Sequence, residues 1–195
     1  MVCLETERLL LRNWEDNDFH VFARMCADEK VMEFFPFLLN KEASDELAGR
    51  LRSTLIHDGW GLWAVEEKMS KHFIGFIGLE YVAPDLHFYP AIEISWRLAF
   101  PFWGKGYATE GARAALQFGF ETLNTEEIVS FTALINLRSQ NVMKKLGMTL
   151  SETFNHPRLA ASHRLCTHML YRINRKSWAS QADDTKSVIQ KITEK

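Results

Sequence analysis

The segment Trp103-Gly104-Lys105-Gly106-Tyr107-Ala108-Thr109 follows an alternating apolar stretch and opens a helical one. The first turn of an α-helix carries N–H groups without internal partners, and the macrodipole adds partial positive charge there. Glycines let the main chain approach an anion without a Cβ in the way. A strand, a glycine turn and a helix start therefore make a candidate phosphate cradle. The alternative is a plain strand-to-helix connection whose glycines serve geometry alone. Two familiar phosphate motifs do not fit. The P-loop pattern GxxxxGK[ST] is absent, because Lys105 is followed by Gly106 rather than a hydroxyl residue. The dinucleotide fingerprint GxGxxG is incomplete, because Gly104 and Gly106 are followed by Thr109 at the last position.

The elements around this turn follow from periodicity. Leu4 to Asn13 reads as a first strand. Asp16 is the expected N-cap of a helix whose buried face is Phe19, Phe22, Ala23 and Cys26. Pro36 interrupts the chain, and a second helix is expected after Asn40, with Ala43, Leu47, Leu51 and Leu55 inward. Gly61 to Glu66 and Phe73 to Glu80 flank the polar turn Glu67 to Lys71 as an antiparallel hairpin, with Gly75 and Gly78 marking a bulge or a close approach. Ala91 to Ala99 alternates: Ile92, Ile94, Trp96 and Leu98 on one side, Glu93, Ser95 and Arg97 on the other.

The helix that begins at the glycine turn ends near Leu123 and presents a small face of Ala108, Gly111, Ala112, Ala115 and Gly119. Glu127 to Ile135 is β-branched and reads as a strand. Asn136 opens a short helix that closes at Gly147. Met148 to Phe154 and Arg164 to Ile173 are the last two strands. The predicted order is β-α-α-β-β-β-α-β-α-β-β, an α/β chain with a mixed sheet covered on both faces. Residues 1–178 form one expected domain. Residues 179–195 form a polar tail, frayed or weakly helical.

Composition narrows the function classes. The chain has 195 residues, 23 Lys plus Arg against 25 Asp plus Glu, and a formal net charge of -2. A nucleic-acid binder that works by counterion release is usually basic, so no such partner is expected. Cys3, Cys26 and Cys166 are far apart and show no CxxC spacing, which points to a reducing, cytoplasmic setting. No apolar run is long enough for a bilayer span, and the first ten residues do not read as a signal peptide. The seven histidines show neither HxxxH nor HxH spacing, so no metal site is expected.

The motifs taken in order resemble the GCN5-related N-acetyltransferase (GNAT) superfamily, and within it the ribosomal-protein N-terminal acetyltransferase (RimJ/RimL-like) branch. The superfamily's pyrophosphate loop, Q/R-x-x-G-x-G/A, falls on Trp103 to Ala108, with Trp103 replacing the usual Gln or Arg. Asn136 to Met148 resembles the branch's N-x-x-S-x-x-V-x-x-K-L-G-F segment, with Met148 in place of the aromatic. Thr6 to Leu11, Ile74 to Leu79 and His168 to Arg172 resemble its opening strand, central hairpin and closing strand. The likeness runs from about Leu4 to Trp178.

The resemblance implies a fold of about seven strands with a splay between the fourth and fifth, Ala91 to Ala99 and Glu127 to Ile135. Acetyl-CoA is implied as cosubstrate in that splay, with a primary amine as acceptor, either a protein N-terminus or a small molecule. Backbone groups near Leu98 and Phe100 would pair with the pantetheine arm. Trp103, Gly104, Lys105, Gly106, Tyr107, Ala108 and Thr109 would hold the pyrophosphate, chiefly through main-chain donors. The Thr109 hydroxyl either joins them or caps its own turn.

An ammonium has no lone pair, so the acceptor must lose a proton before it attacks. Glu93 is the candidate base, directly or through water; a solvated strand glutamate, or one in an ion pair such as with Arg97 on the same strand face, is its structural alternative. Ser139 is the implied donor to the leaving thiolate, Asn136 the implied contact to pantetheine or acetyl, and Asn141 a cofactor-positioning residue. Asn136 is equally an N-cap. Lys144 and Lys145 read as solvated rather than phosphate-binding. Phe34 to Leu39 falls in the superfamily's acceptor wall, and His156 in a late loop reads as a turn residue. An N-acetyltransferase, monomer or homodimer, is the expected protein. A non-catalytic acyl-CoA-binding module is the alternative.

Overall fold

The computed structural model describes residues 2–181, so most of the tail expected over 179–195 lies outside the described residues. Eight strands form one sheet in the order β1-β2-β3-β4-β5-β6-β8-β7. The strands are β1 Leu4–Glu5, β2 Leu9–Arg12, β3 Leu62–Glu67, β4 His72–Tyr81, β5 Ile92–Leu98, β6 Glu127–Ala133, β7 Thr149–Asn155 and β8 Thr167–Asn174. The helices are α1 Asp16–Cys26, α2 Lys41–Asp58, α3 Tyr107–Glu121 and α4 Leu137–Lys145, followed by a helical stretch at 175–181.

The expected order holds with one correction at the start. Leu4 to Asn13 is not one strand: Thr6 donates its amide to Leu9 O at 2.9 Å, and Leu4 pairs back on Leu11. Two short strands replace one, giving eight rather than about seven. The cap of α1 also shifts by one residue. Glu15 is the N-cap, and Asp18 completes a capping box by accepting the Glu15 amide at 2.8 Å. Asn40 caps α2 by accepting the Ala43 amide at 2.9 Å, and Gly59 ends it in the left-handed conformation.

Helices cover both faces. α1 puts the fully buried Phe22 against Phe76 of β4, with ring centroids 6.0 Å apart. α3 covers the other face, where Ile77 and Leu79 of β4 point. The absence of a side chain at two positions of α3 sets its distance from the sheet. A Cβ on Gly111 would lie 2.6 Å from Ile77 Cδ1, and one on Gly119 would lie 2.6 Å from Ile128 Cδ1.

β4 is similarly constrained. The register of β3 against β4 slips between Val65 and Glu66, leaving Ile74 as the extra residue beside Gly75. A Cβ on Gly78 would meet Gly61 O at 2.0 Å and Leu62 Cα at 2.9 Å, both of them backbone where the adjacent strand β3 begins. Gly78→Ala must therefore push central strands apart. The expected loss is about 3 kcal/mol, or roughly 6–12 °C in Tm for a chain of this size. Thermal denaturation of the variant checks it, and an unchanged midpoint would contradict the close approach.

One feature of the sheet creates the site. β5 and β6 are parallel but pair only at Ile92↔Ile128 and Glu93↔Val129. Beyond Glu93 the two strands part, so the expected splay is present. β5 stays paired with β4 along its whole length, and β6 with β8 along its own. The gap therefore exposes one edge of each strand without freeing either.

Candidate active site

α3 starts at the top of the gap. Gly104 and Gly106 both adopt positive φ, +72° and +84°, and Gly106 is the N-cap of α3 without a side-chain capping bond. The Glu110 amide is the first to find a helical acceptor, Gly106 O at 3.0 Å. The amides of Tyr107, Ala108 and Thr109 find no protein acceptor among the described residues. The Thr109 hydroxyl has no partner among them either, so it does not cap its own turn. Nothing lies within 4 Å of a Cβ built on Gly104. These are the features of an anion cradle with its donors unsatisfied.

The cradle is held from behind. Arg8, in the turn between β1 and β2, donates to Lys105 O at 3.0 Å and to Glu110 Oε2 at 2.6 Å. Its guanidinium lies 4.6 Å from the Tyr107 ring centroid. Tyr107 itself is buried, so it contributes its amide outward and its ring inward. A groove of about 740 Å³ runs from Gly106 and Thr109 along α3 past Arg113 to Lys145. Arg113 donates to Lys145 O at 3.0 Å. Neither Arg8 nor Arg113 carries a spacing that marks it in sequence. Lys145 borders the groove, whereas Lys144 does not.

At the gap, the Ala99 amide donates to Ile74 O at 2.8 Å. Ala99 thus faces β4, and by alternation Leu98 faces the gap. Its carbonyl is already engaged: Trp103 Nε1 donates to Leu98 O at 2.7 Å. The Leu98 amide is what remains for an incoming arm. Phe100 opens a 3₁₀ turn, Phe100–Phe102, held by Pro101, and its carbonyl accepts the Trp103 amide at 3.1 Å. Its own amide has no acceptor among the described residues, so it remains beside that of Leu98 for an incoming chain. Trp103 also carries the Arg138 guanidinium 5.2 Å from its ring, and Arg138 pairs with Glu33 at 2.9 Å. The segment between α1 and α2 is thereby linked to α4 across the mouth of the gap.

On the far wall, α4 begins at Asn136, which accepts the Ser139 amide at 3.2 Å. Its own Nδ2 donates to Thr132 Oγ1 at 2.9 Å and to Ser139 Oγ at 3.1 Å. Asn136 is buried, and both its side-chain N–H bonds are used inside the protein. Ser139 is half-buried, and its hydroxyl accepts but makes no donor bond among the described residues. That leaves it one proton to give, in the first turn of a helix. Asn141 is exposed one position past the buried Gln140, which ties Leu134 O. Gly147 is left-handed at φ +78°, as expected at the end of α4.

Glu93 sits where β5 and β6 begin to part, on the face covered by α1 and α2. It makes no ion pair with Arg97, and its carboxylate accepts no hydrogen bond among the described residues. Directly across the β4–β5 ladder stands Glu80, whose Oε1 accepts from Ser95 Oγ at 3.3 Å. Burial raises the pKa of both carboxyls. For Glu93 the charge of Glu80 adds to the rise, whereas Ser95 and the positive charges of Arg50 and Arg97 moderate that of Glu80. The pair holds its protons above the usual carboxylate range. Glu80 lies within the expected hairpin, and only the cross-strand register brings it to Glu93.

The sheet face that carries Glu93 continues past β6. His156 packs on His168, with centroids 4.9 Å apart, and on Phe131 at 6.1 Å. Burial lowers the pKa of both imidazoles. His156 is thus part of a packed aromatic cluster as well as a turn. Phe35, Phe37 and Leu38 are exposed at 36%, 68% and 46%, an apolar rim on the α1 side of the gap. No helix among the described residues is long and apolar enough to cross a membrane, and the three cysteines are free.

Comparison with known proteins agrees with this geometry. A family model described as an acetyltransferase (GNAT) domain matches residues 8–149. The Bacillus subtilis protein YkkB is 33% identical over 154 residues, covering 77% of this chain and 87% of YkkB. The Bacillus subtilis N-acetyltransferase YnaD is 27% identical over 146 residues, covering 74% of this chain and 81% of YnaD. Among solved structures, a GNAT-family acetyltransferase from Bacillus anthracis superposes with a TM-score of 0.76 at 22% identity, covering 90% and 99% of the two chains.

Proposed function

Since this chain belongs to the acetyltransferase (GNAT) domain family and is an acyltransferase with acetyl-CoA as cosubstrate, we propose that it acetylates a primary amine by direct attack in a ternary complex. The acceptor is a protein N-terminus or a small-molecule amine, and the setting is cytoplasmic. The finer placement, in the ribosomal-protein N-terminal acetyltransferase branch, is supported by the WGKGYATE turn and the Asn136–Met148 segment. Residues 1–178 act as one catalytic domain, with 179–195 as an appended tail.

The observation that carries this reading is one strand with two ends. β5 bears an unpaired, desolvated carboxylate at Glu93, where its pairing with β6 stops, and leads at its other end to the unsatisfied amides of α3. In the proposed step the amine nitrogen attacks the thioester carbonyl carbon and the carbon–sulfur bond breaks. The amine proton passes to Glu93, directly or through water. The sulfur leaves with the bond pair as a thiolate that accepts a hydrogen bond from the Ser139 hydroxyl; it then takes a proton from water, and Glu93 returns its proton to solvent, so Ser139 stays neutral. Gly104 to Thr109 hold the pyrophosphate, the Leu98 amide meets the pantetheine, and Asn136 orients Ser139. Asn141 flanks the cofactor.

Two measurements test this. Calorimetry with CoA is expected to show one-site binding. Incubation with acetyl-CoA and a panel of primary amines is expected to release free thiol. Tight CoA binding with no thiol release from any amine would instead identify a non-catalytic acyl-CoA-binding module. No CoA binding would remove both readings.

A further inference from the structure

Arg97 is the charged residue of this face that the reaction does not use. It lies on the same side of β5 as Glu93 and Ser95, four residues beyond the base. That separation is about 13 Å along the strand. Its guanidinium is caged by aromatic rings, 4.1 Å from the centroid of Phe35, 5.3 Å from Phe76 and 5.9 Å from Phe22. Its one side-chain hydrogen bond among the described residues is Nη1 to Cys26 Sγ at 3.3 Å, with a thiol that is fully buried. Nε is buried without any partner, and Arg97 forms no ion pair among the described residues.

Such an arrangement is costly. An arginine withdrawn from water normally faces a carboxylate or phosphate across its planar fork, and a buried N–H without an acceptor is destabilising. Here the fork is oriented by stacking; the charge of Glu80 acts on it from a distance, but no carboxylate is bonded to it among the described residues. The roof is Phe35, on the partly exposed apolar rim, so a ligand entering from the gap would have to displace this one ring to meet the guanidinium. At the other end of the same face stand Glu93 and Glu80, suited to a cation. The wall of the acceptor site is therefore negative at one end and positive at the other.

We propose that Arg97 recognises a carboxylate on the acceptor, so that the acceptor is an amino-carboxylate whose amine meets Glu93 while its carboxylate meets the guanidinium fork. The inference rests on the N-acetyltransferase reading and narrows it to a substrate class. Arg97 acts here in specificity and not in proton transfer. A bidentate carboxylate contact is expected to give roughly 10- to 100-fold preference over the same amine without the carboxylate.

Matched pairs test it: 6-aminohexanoate against hexylamine, and lysine against cadaverine. Wild-type protein is expected to show kcat/KM higher by that factor for the carboxylate member of each pair. Arg97→Gln should lose the preference and Arg97→Lys should keep only part of it, each compared within the pair at the pH where that variant's rate is maximal, the lysine variant guarding against a folding defect. A carboxyamidated tripeptide with and without an acidic second residue distinguishes a peptide source from a free amino acid.

Equal kcat/KM within each pair in the wild type overturns the proposal, as does an equal loss on both members in the variants. Either outcome leaves the N-acetyltransferase reading intact. If no amine is turned over, that reading fails instead. Calorimetry of 6-aminohexanoate and hexylamine with the CoA-bound protein then decides the Arg97 assignment alone. Binding at least tenfold tighter for 6-aminohexanoate, lost in Arg97→Gln, supports it, and equal binding overturns it.

Discussion

Glu93→Gln is expected to lower kcat by roughly 10²- to 10⁴-fold, the range that a positioned base supplies, while CoA binding stays at the wild-type level. Glutamine keeps the shape of the side chain but cannot accept a proton at any accessible pH. The wild-type rate should rise with pH through the elevated titration of the Glu80–Glu93 pair, because the base works only when ionised. The variant should lack that rise. Full activity across the same pH range would remove Glu93 from the base role.

The same substitution carries a stability signature of opposite sign. Folded Glu93 holds its proton more tightly than it does in the unfolded chain, where its pKa is near 4.5. The stability linked to that proton is present at low pH and is lost as pH rises through the raised folded value. Glutamine removes the desolvated charge. Glu93→Gln should therefore melt higher than wild type at neutral pH and gain little at pH 4. A variant that is less active yet more stable is what an uncompensated functional carboxylate predicts.

Gly106→Asp is expected to weaken CoA binding by roughly 10²-fold, because it places a negative charge at the mouth of a site built for anions. Gly106 has φ +84°, and a Cβ there would lie 3.4 Å from Arg8 Nη2. An aspartate carboxylate is therefore within reach of the guanidinium that backs the cradle. Strain at positive φ adds a stability loss of about 1 kcal/mol, since Asp tolerates this conformation better than most residues. Gly106→Asn controls for shape: it should bind CoA more weakly than wild type but clearly better than the aspartate variant. The gap between the two should shrink as salt is raised. Titration calorimetry at two ionic strengths measures both, and wild-type affinity in Gly106→Asp would show that the anion binds elsewhere.

Much of this site is readable along the chain because its parts are local. A helix start, a left-handed glycine and a cap each involve residues within four positions of one another. Hence the turn at Gly104 to Thr109, the Asn136 cap and the Gly147 stop all lie where spacing puts them. Alternation in Ala91 to Ala99 likewise assigns Glu93, Ser95 and Arg97 to one face, and the small residues of α3 foretell its close approach to the sheet.

What spacing misses is set in part by competing local hydrogen bonds that more than one pattern allows, and in part by contacts between distant segments. The fold-back at Thr6 interrupts an otherwise plausible strand, and the capping box at Asp18 moves the start of α1 by one residue. Trp103 has the composition of a loop aromatic, and only the folded turn delivers its N–H to Leu98 O. Arg8 reaches Glu110 across more than a hundred residues.

Residue identity and local periodicity suffice for the elements, the anion-binding turn and the face on which the carboxylate stands, since neighbouring φ/ψ angles and side-chain direction follow from a few adjacent residues. The pairing of Glu80 with Glu93 and the aromatic cage around Arg97 come only with the three-dimensional packing. Strand register and desolvation are properties of segments far apart in the chain, and no local pattern encodes them.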